Sequence, residues 1–457
     1  MKSTDLASSL SEYAISISPK NLSNEVIQEA KRKFIDTIGC AIGAFDAKPV
    51  KISKKVAERV SSNYSATIFG TNIKTSVDLA TFVNGAMIRY LDYNDTYLSK
   101  DPGHPSDNLS AVIAVGEAEE STGLDIITAA VVAYEIQCRL CDALAIRVKG
   151  WDHVTYGGVS SSLAVAKLMG LSIEKTAHAL SLSLIASIAM RQTRSGQISM
   201  WKACAFSNAA RNAVFACMLA KEGMTGPAPI FEGEEGFFKL VSGPISMNIE
   251  EFGGRGGKFK ILETSIKYYP SEYHSQSAVE AAIELHKMLK GRFEEIDEVL
   301  IETFEASYKI IGSGKEKWEP KSRETADHSL PYCVSVALMD GTLNLDSFKE
   351  EKLRDPKLLS FMKKVKVIEN PELTKLYPEA VPNTIKIKKK NGDILEKTII
   401  YPKGYWKNPM NDEEIENKFK SLAQRVYSQD RINEILKVLW RLDKLTNIKE
   451  LMEVLKL

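Results

Sequence analysis

The chain has 457 residues, enough for two or three domains, and 44% of them are hydrophobic, which suffices for packed cores. The formal net charge of +1 gives no whole-chain signature of binding to nucleic acid or to an anionic membrane. Six cysteines are dispersed through alanine-rich patterns, which is typical of reduced, buried thiols. Because residues 1–16 do not resemble a signal peptide and the longest apolar run is too short to span a bilayer, we expect a cytoplasmic protein.

Helical patterns fill the first two-thirds of the chain. Ser23 precedes a helix whose apolar stripe includes Phe34 and Ile38 at helical spacing and which ends near Gly43. The helix that Asp125 is predicted to cap is apolar on nearly every face, so it must be buried in a bundle. The predicted helices after Gly43 cover residues 50–61, 76–90, 109–120, 126–136, 160–169, 172–189 and 199–221, with a short extended piece at 66–70.

A glycine-rich stretch at 252–257 is predicted to be a linker, and the pattern beyond it is mixed. Asn391-Gly392 joins two alternating strands, which predicts a hairpin with a type I′ turn. Around this hairpin we predict helices at 275–289 and 328–339, strands at 296–304 and 365–369, and terminal helices at 411–426, 429–442 and 448–455. The sequence therefore predicts a mainly α protein, an all-α helical domain with an inserted α+β domain, and a site in the cleft between them.

The stretch 91–108 is too polar, and too broken by glycine and proline, to be core. It carries Asp92, Thr96 and His104, and Pro105 suits the first turn of the helix that follows. Ser106 or Asp107 suits the cap of that helix. His104 would then lie where free backbone N–H groups favour an anion. The competing interpretation is an ordinary loop with a capping cluster.

Other candidate side chains lie in short polar clusters. His104, His153, His274 and His328 each lie in a loop that leads into a predicted helix. They are too scattered for a metal site, HExxH is absent, and no GxSxG nucleophile elbow is present. Cations embedded in apolar segments beside these histidines indicate an anionic substrate, a di- or tricarboxylate; they are Arg191, Arg194, Lys202 and Lys267.

Several long motifs, in the same order, resemble the 2-methylcitrate dehydratase (MmgE/PrpD) family. The resemblance runs from about Glu25 to the C-terminal helices. The motifs that carry it are Asp92-Tyr93-Asn94-Asp95-Thr96, Gly103-His104-Pro105-Ser106-Asp107-Asn108, Trp151-Asp152-His153, Arg191-Gln192-Thr193-Arg194, Ser199-Met200-Trp201-Lys202, Gly223-Met224-Thr225-Gly226-Pro227, Tyr269-Pro270-Ser271-Glu272-Tyr273-His274 and Asp327-His328-Ser329-Leu330-Pro331-Tyr332.

The resemblance implies a homodimer whose subunits each have an all-helical domain, residues 1–262 and 402–457, and an α+β lid domain, residues 263–401. It implies a small tricarboxylate as substrate and no metal ion or other cofactor. Positions that match the decarboxylase branch surround the site, although the match at His274 is shifted in register; they are Asp92, Thr96, His104, His153, Lys202, Lys267, His274 and Tyr332.

The predicted reaction is the removal of water from 2-methylcitrate, or citrate, by acid–base elimination. His104 is the leading acid or base, Asp92 orients it, and His153 or Tyr332 is the second proton carrier. Lys202 neutralises the developing charge, while Thr96, Lys267, Arg191, Arg194 and His274 bind substrate carboxylates. Which group is acid and which is base stays open at this point. The alternatives are cis-aconitate decarboxylation, isomerisation or epimerisation of a tricarboxylate or iminodisuccinate in the same family, and a helical binding protein without catalysis.

Overall fold

The computed structural model of the chain describes residues 5–196 and 198–457. They form two compact units. The helical unit comprises residues 5–196, 200–264 and 411–457, and the α+β unit comprises residues 198–199 and 265–410. Along the chain, the units meet at 264/265 and 410/411, whereas the predicted domain boundaries are 262/263 and 401/402. The lid role of the second domain stays a prediction. The predominance of helix agrees with the predicted mainly α class.

The helical unit begins with a series of helices and one short antiparallel strand pair. In α2 the Ser23 hydroxyl accepts the Val26 N–H, which confirms the predicted start of that helix. The elements are α1 (Leu6–Ser16), α2 (Asn24–Gly43), α3 (Lys48–Ala57), β1 (Ser65–Thr67), β2 (Lys74–Ser76), α4 (Val77–Tyr90), α5 (Leu109–Ala118), α6 (Gly123–Ala143), α7 (Thr155–Leu168), α8 (Ile173–Ala186) and α9 (Trp201–Lys221).

The predicted cap of α6, Asp125, was wrong by three residues. Thr122 is the N-cap, and its side chain accepts the Asp125 N–H while Asp125 accepts the Thr122 N–H. This reciprocal pattern is a capping box, in which the acidic residue occupies the third helical position. The buried stretch of α6 that the apolar pattern predicted is confirmed, since Ile126 and Ile136 are fully buried.

Helix α9 packs against α4, α7 and α8. Its small residues allow close approach of these helices, and Ala205 and Ala210 share a buried cluster with Val165 of α7. At Gly157 of α7, an added Cβ would lie 2.6 Å from the Phe206 ring of α9. This close packing fixes the end of α4, the start of α7 and the start of α9, and these three positions carry the site described below.

The α+β unit contains a four-stranded sheet in the order β4-β3-β5-β6. Strands β3 and β4 are parallel, with Val299 opposite Val365, and the other pairs are antiparallel. Helices α10 and α13 pack together, and α10 also packs on β5 and β6. The elements are α10 (Gln276–Met288), β3 (Ile296–Thr303), α11 (Glu305–Ser307), α12 (Arg323–Ala326), α13 (Leu330–Asp340), α14 (Glu350–Leu353), α15 (Pro356–Met362), β4 (Val365–Glu369), α16 (Pro371–Thr374), β5 (Asn383–Lys389) and β6 (Ile394–Ile399).

The predicted hairpin is confirmed, but its predicted turn type is wrong. Of the two central residues, Gly392 has φ +93° and Asn391 does not have a positive φ. The Gly392 N–H donates to the Lys389 carbonyl at 2.9 Å, and the Lys389 N–H donates to the Asp393 carbonyl at 2.8 Å. The loop therefore has three residues and ends in a left-handed glycine, which is a common alternative to the two-residue type I′ turn.

The chain returns to the helical unit in α17 (Asp412–Ala423), α18 (Gln429–Trp440) and α19 (Lys449–Val454). Helix α17 packs on α2. No helix within residues 5–196 and 198–457 has both the length and the apolar character that a bilayer span requires.

The prediction of a linker at 252–257 was wrong. Phe252 is only 2% exposed, and its ring meets the Tyr13 ring edge-on with centroids 5.1 Å apart. The Tyr13 hydroxyl donates to the Gly253 carbonyl at 2.8 Å, and the Gly253 N–H donates to the Glu135 carboxylate at 2.9 Å. The glycines permit a tight packed loop whose backbone is satisfied by buried side chains, so glycine content alone was a misleading signal.

Candidate active site

A buried guanidinium lies at the centre of the polar cluster in the helical unit. Arg89, in the last turn of α4, is 3% exposed. One guanidinium nitrogen contacts the Asp92 carboxylate, and Nη2 lies 3.0 Å from Nε2 of His104. Asp92 itself has φ +50°, a left-handed conformation that is uncommon for a residue other than glycine. Asp92 and His104, both predicted site residues, are therefore brought together by an arginine.

The loop between Asp92 and α5 is held by its own polar side chains. The Asp95 carboxylate accepts the Ser106 N–H at 3.0 Å, and Asn94 Nδ2 donates to Ser106 Oγ at 2.9 Å. The prediction that Ser106 or Asp107 caps α5 was wrong: residues 105–108 form a 3₁₀ turn, and neither side chain makes a capping hydrogen bond. Thr96 Oγ1 donates to the Gly103 carbonyl at 3.2 Å, so Thr96 lies in the same loop.

A second histidine forms an acid–histidine pair immediately before α7. His153 Nδ1 lies 3.0 Å from Asp152 Oδ1, and the Arg194 Nε lies 3.0 Å from Asp152 Oδ2. The His153 and His104 rings are edge-on, with centroids 5.7 Å apart. Nε2 of His153 is buried and has no hydrogen-bond partner within the described part of the chain. The cluster thus contains one imidazole nitrogen that is held in place and unused.

The charges around His153 determine its protonation. Burial lowers the pKa of His153 below its usual value near 6.5, and the neighbouring Arg194 lowers it further, despite the opposing effect of Asp152. Burial acts to raise the pKa of Asp152, but Arg194 and His153 outweigh it and hold that pKa well below the usual range. At neutral pH the pair therefore consists of an ionised carboxylate and a neutral imidazole.

Lys202 joins the same cluster from the first turn of α9. Its Nζ lies 3.5 Å from Asp92 Oδ2, and the residue is 6% exposed. A cation in a first helical turn opposes the helix dipole, so it needs a nearby anion, and Asp92 supplies one. Asp107 adds a buried carboxyl that accepts from Asn94 Nδ2 at 2.8 Å. Burial raises the pKa of Asp107 to about 7, although Arg89 and the Asn94 hydrogen bond act to lower it.

Arg191 lies near this cluster without an ion pair to it. It shares a 3₁₀ turn with Arg194, and its backbone N–H donates to the Gly150 carbonyl at 2.9 Å. In the described part of the chain its side chain makes no hydrogen bond or ion pair. Burial and the nearby Arg147 lower the pKa of Arg191. A half-buried guanidinium next to other cations is suited to an anionic ligand.

Three predicted residues lie in the α+β unit, and two of them share a cluster there. His274 Nδ1 lies 2.7 Å from Glu272 Oε1. Burial acts to raise the pKa of Glu272, but His274, His328 and Lys267 lower it to about 2. Lys267 is 1% exposed, so its ammonium is deeply buried. His274 and Lys267 are therefore both neighbours of one ionised carboxylate.

Tyr332 lies apart from that carboxylate, in the core of the α+β unit. Its hydroxyl donates to the Ser347 carbonyl at 2.6 Å, and its ring packs near Phe348. Burial raises the pKa of Tyr332 above its usual range. Because the hydroxyl already donates a hydrogen bond to a backbone carbonyl in a packed core, we infer a structural role for Tyr332. The proposed mechanism does not include it.

Comparison with known sequences identifies the family. Residues 8–250 match the family model of the MmgE/PrpD N-terminal domain, and residues 269–442 match that of the MmgE/PrpD C-terminal domain. The chain belongs to the MmgE/PrpD family. This confirms the resemblance drawn from the motifs.

Curated relatives of this MmgE/PrpD protein include enzymes of two kinds. A 2-methylcitrate dehydratase of Escherichia coli (strain K12) is 28% identical over 431 residues, covering 88% of this chain and 87% of the relative. A protein of Yarrowia lipolytica named mitochondrial 2-methylcitrate dehydratase is 28% identical over 88% of this chain and 79% of its own length. The human cis-aconitate decarboxylase is 24% identical over 95% of this chain and 91% of its own length.

These likenesses confirm the predicted class of protein, an enzyme similar to 2-methylcitrate dehydratases, which are carbon–oxygen lyases. The substrate and the site residues stay predictions. So does the cytoplasmic location, and one relative is named as mitochondrial.

The sequence interpretation missed Arg89 and gave Asp152 and Asp107 no role in the chemistry. Arg89 precedes Asp92 by three residues at the end of a predicted helix, a spacing that places two side chains on one face. That spacing was the available signal. Asp152 precedes His153 directly and was quoted only as part of a motif. Nothing in the sequence alone shows that Asp107 is buried.

Proposed function

We propose that this MmgE/PrpD protein is a lyase that removes water from 2-methylcitrate, or from a closely related tricarboxylate, by acid–base chemistry in the polar cluster of the helical unit. The observation that carries the proposal is the Asp152–His153 pair. Its outer nitrogen, Nε2 of His153, is buried and has no hydrogen-bond partner among the described residues.

His153 is the base in this proposal. Because Asp152 is ionised, it can only accept, so Nδ1 of His153 carries the proton that lies between them. Because burial and Arg194 lower the pKa of His153, its second nitrogen is unprotonated at neutral pH. Nε2 therefore presents a lone pair held in a fixed direction by a carboxylate, which is the arrangement of a general base.

The sequence interpretation made His104 the leading proton carrier and His153 or Tyr332 the second. In this proposal His153 is the proton carrier, because of the contacts of the two rings. Nδ1 of His104 lies 2.7 Å from the Asp95 carbonyl oxygen, and Nε2 lies 3.0 Å from Arg89. Both ring nitrogens of His104 are therefore engaged, whereas one nitrogen of His153 is unused. In the proposed scheme His104 and Arg89 hold each other in place beside His153 in the ligand-free enzyme.

The elimination balances with one proton carrier. Nε2 of His153 takes the proton from the carbon next to a carboxylate, and the C–H electron pair becomes the new carbon–carbon double bond as the C–O bond breaks. The departing hydroxide takes the proton from the imidazolium and leaves as water, which returns His153 to its starting form. General acid–base catalysis of this kind contributes about 10²–10⁴-fold in rate.

Fixed cations complete the proposal, because negative charge builds in the transition state on the carboxylate next to the deprotonated carbon and on the departing oxygen. Arg89, Lys202 and Arg194 lie in the helical unit beside the two histidines. We retain Thr96, Arg191, Lys267 and His274 as proposed substrate-binding residues, because their side chains suit carboxylates and match the family motifs. On the family resemblance we also propose a homodimer, which the molar mass of the protein in solution tests.

A side-by-side product assay tests the reaction. The purified protein is incubated with 2-methylcitrate, citrate, cis-aconitate and iminodisuccinate, before and after treatment with a chelator. We expect an alkene product from 2-methylcitrate, undiminished by chelation, and about 10²-fold or greater loss in His153→Gln.

Other outcomes select other reactions. Release of carbon dioxide from cis-aconitate without an alkene from 2-methylcitrate would identify a decarboxylase, and inversion of iminodisuccinate would identify an epimerase. Loss of activity on chelation would contradict a cofactor-independent reaction. No product, combined with no rise in melting temperature on adding any of these compounds, would overturn the proposal of an enzyme of this substrate class.

A further inference from the structure

Arg89 contacts a ring nitrogen of His104 as well as two carboxylates, so it can control the histidine in addition to neutralising charge. Its guanidinium contacts Asp92, its Nε lies 3.8 Å from Asp107 Oδ2, and its Nη2 lies 3.0 Å from Nε2 of His104. The arginine and both carboxylates are at most 3% exposed. A buried group with three neighbours of this kind has little freedom to turn.

Two independent contacts determine which nitrogen of His104 carries its proton. A guanidinium has only donors, so Nε2 must accept the hydrogen bond from Arg89 and is unprotonated. A backbone carbonyl can only accept, so Nδ1 must donate to the Asp95 carbonyl at 2.7 Å. Both contacts require the same neutral tautomer, with the proton on Nδ1.

We propose that Arg89 is a positioning residue that keeps Nε2 of His104 unprotonated in the ligand-free enzyme. Only the catalytic role of this contact rests on the proposed function. The protonation of His104 can be measured without substrate. A proton on Nε2 would point at an N–H of Arg89 across 3.0 Å, which places two positive hydrogens against each other. His104 can therefore gain a proton only after Arg89 turns away.

The charged and titratable groups of the helical unit that contact Arg89 or His104 come from several elements. Arg89 is at the end of α4, Asp92 follows it in the loop, and Asp107 lies on the 3₁₀ turn. His153 approaches from the segment before α7, and its own Nδ1 is held by Asp152. Arg89 is a cation in direct contact with Nε2 of His104, so its removal directly affects that nitrogen.

A substrate carboxylate that binds Arg89 would also change the state of His104. A carboxylate that binds Arg89 in a bidentate manner competes for Nη2, the nitrogen that His104 holds. Binding of the anion would then release Nε2 of His104 next to His153. The tricarboxylate itself would make His104 available for proton transfer, and a neutral analogue would not.

Nitrogen-15 NMR of histidine-labelled full-length protein tests the proposal without substrate. Internal references come from two histidines outside the cluster. The Gly226 N–H donates to Nδ1 of His178, so His178 has its proton on Nε2, while Nδ1 of His286 donates to the Leu338 carbonyl. Resonances are assigned with single variants of each histidine. We expect His104 to match His286 in its tautomer and to differ from His178.

Two variants of Arg89 separate the effect of its charge on His104 from the effect of its shape. In Arg89→Met the cation is lost, and we expect Nε2 of His104 to take up a proton at a pH where it has none in the wild type. In Arg89→Lys the charge is kept, and we expect Nε2 to stay unprotonated at that pH although the fork-shaped contacts are lost. Turnover should fall in both, by about 10²-fold, because each variant loses the guanidinium fork that positions His104 and binds a carboxylate.

Two results would overturn the proposal: a wild-type spectrum with the proton of His104 on Nε2, or the same protonation of Nε2 in Arg89→Met and wild type. If Arg89→Met does not fold, the wild-type spectrum and Arg89→Gln decide the question. Absence of turnover with every tricarboxylate would overturn the proposed function and leave these spectra unaffected, so the two failures are distinguishable.

Discussion

Nζ of Lys418 lies 2.8 Å from the backbone carbonyl oxygen of Tyr93, a contact between residues 325 positions apart in the sequence. The ammonium also lies 2.5 Å from Asp36 Oδ1 and 3.7 Å from the centre of the Tyr93 ring. Helix α17 therefore holds the residue that follows Asp92, and Asp36 of α2 holds the lysine in place. Helix α17 supports the site loop through one buried lysine, which is ion-paired to α2.

Lys418→Met should destabilise the helical unit strongly. It leaves the Asp36 carboxylate buried without its cation, which typically costs about 3–5 kcal/mol of unfolding free energy. Chemical denaturation followed by circular dichroism measures the change. The double variant Asp36→Leu with Lys418→Met should recover most of the loss, because replacing both partners by apolar groups is often close to neutral.

An exposed ion pair provides the control for that experiment. The side chains of Lys51 and Asp46 are 58% and 79% exposed, so Lys51→Met should change stability by less than about 1 kcal/mol. Equal stability of Lys418→Met and wild type would contradict the view that the buried pair supports the loop.

Asp152→Asn should lower kcat by about 10²–10⁴-fold while the protein stays folded. An amide no longer fixes the proton of His153 on Nδ1, because it can donate as well as accept. Steady-state kinetics with the substrate found in the product assay measures the effect. The matched control is Asp125→Asn in the capping box of α6, which should leave kcat unchanged. Normal turnover in Asp152→Asn would remove the pair from the mechanism.

The acid limb of the kcat/KM profile should lie below the usual histidine value of about 6.5. Burial, followed by Arg194, lowers the pKa of His153, so the free enzyme keeps its base unprotonated to a lower pH than an exposed histidine would. The direction is fixed by the sign of these effects: protonation of Nε2 removes the base, and both burial and the cation oppose that protonation.

Arg194→Gln supplies a test of that cause. With Arg194 gone, burial and the smaller effect of Arg89 still lower the pKa of His153, while Asp152 acts to raise it. The acid limb should therefore move to higher pH in the variant, whatever the change in its maximum rate. A limb that stays in place or moves to lower pH would show that Arg194 does not control His153.

Gly123→Ala should reduce the unfolding free energy by about 1–3 kcal/mol or more. An added Cβ would lie 1.6 Å from the Leu442 carbonyl oxygen, and the Gly123 N–H donates to the Leu445 carbonyl at 2.8 Å. The obstacle is backbone on both sides, so neither segment can yield by turning a side chain. Thr122→Ala, which removes the neighbouring cap, should cost only about 1 kcal/mol. A smaller loss in Gly123→Ala than in Thr122→Ala would contradict this packing.

Local chemistry in the sequence was sufficient for most helices and for the hairpin. Ser23 followed by an apolar stripe gave the correct start of α2, since capping and amphipathic spacing depend on neighbours a few residues away. The turn at Asn391-Gly392 was misjudged because two loop lengths share the same dipeptide, and the strand register chooses between them. The glycine-rich loop at 252–257 was misjudged because its partners, Tyr13 and Glu135, are far away in sequence.

By itself the sequence determined the mainly helical class, the family, and the polar segments that bear His104, His153 and Lys202, because periodicity and motifs are properties of short stretches of chain. Only the tertiary structure decided how those side chains are used. It joined Arg89 to His104, paired Asp152 with Arg194, and placed Tyr332 in a core with its hydroxyl occupied. Protonation and hydrogen bonding depend on burial and on partners from distant parts of the chain, and a linear sequence specifies neither until it has folded.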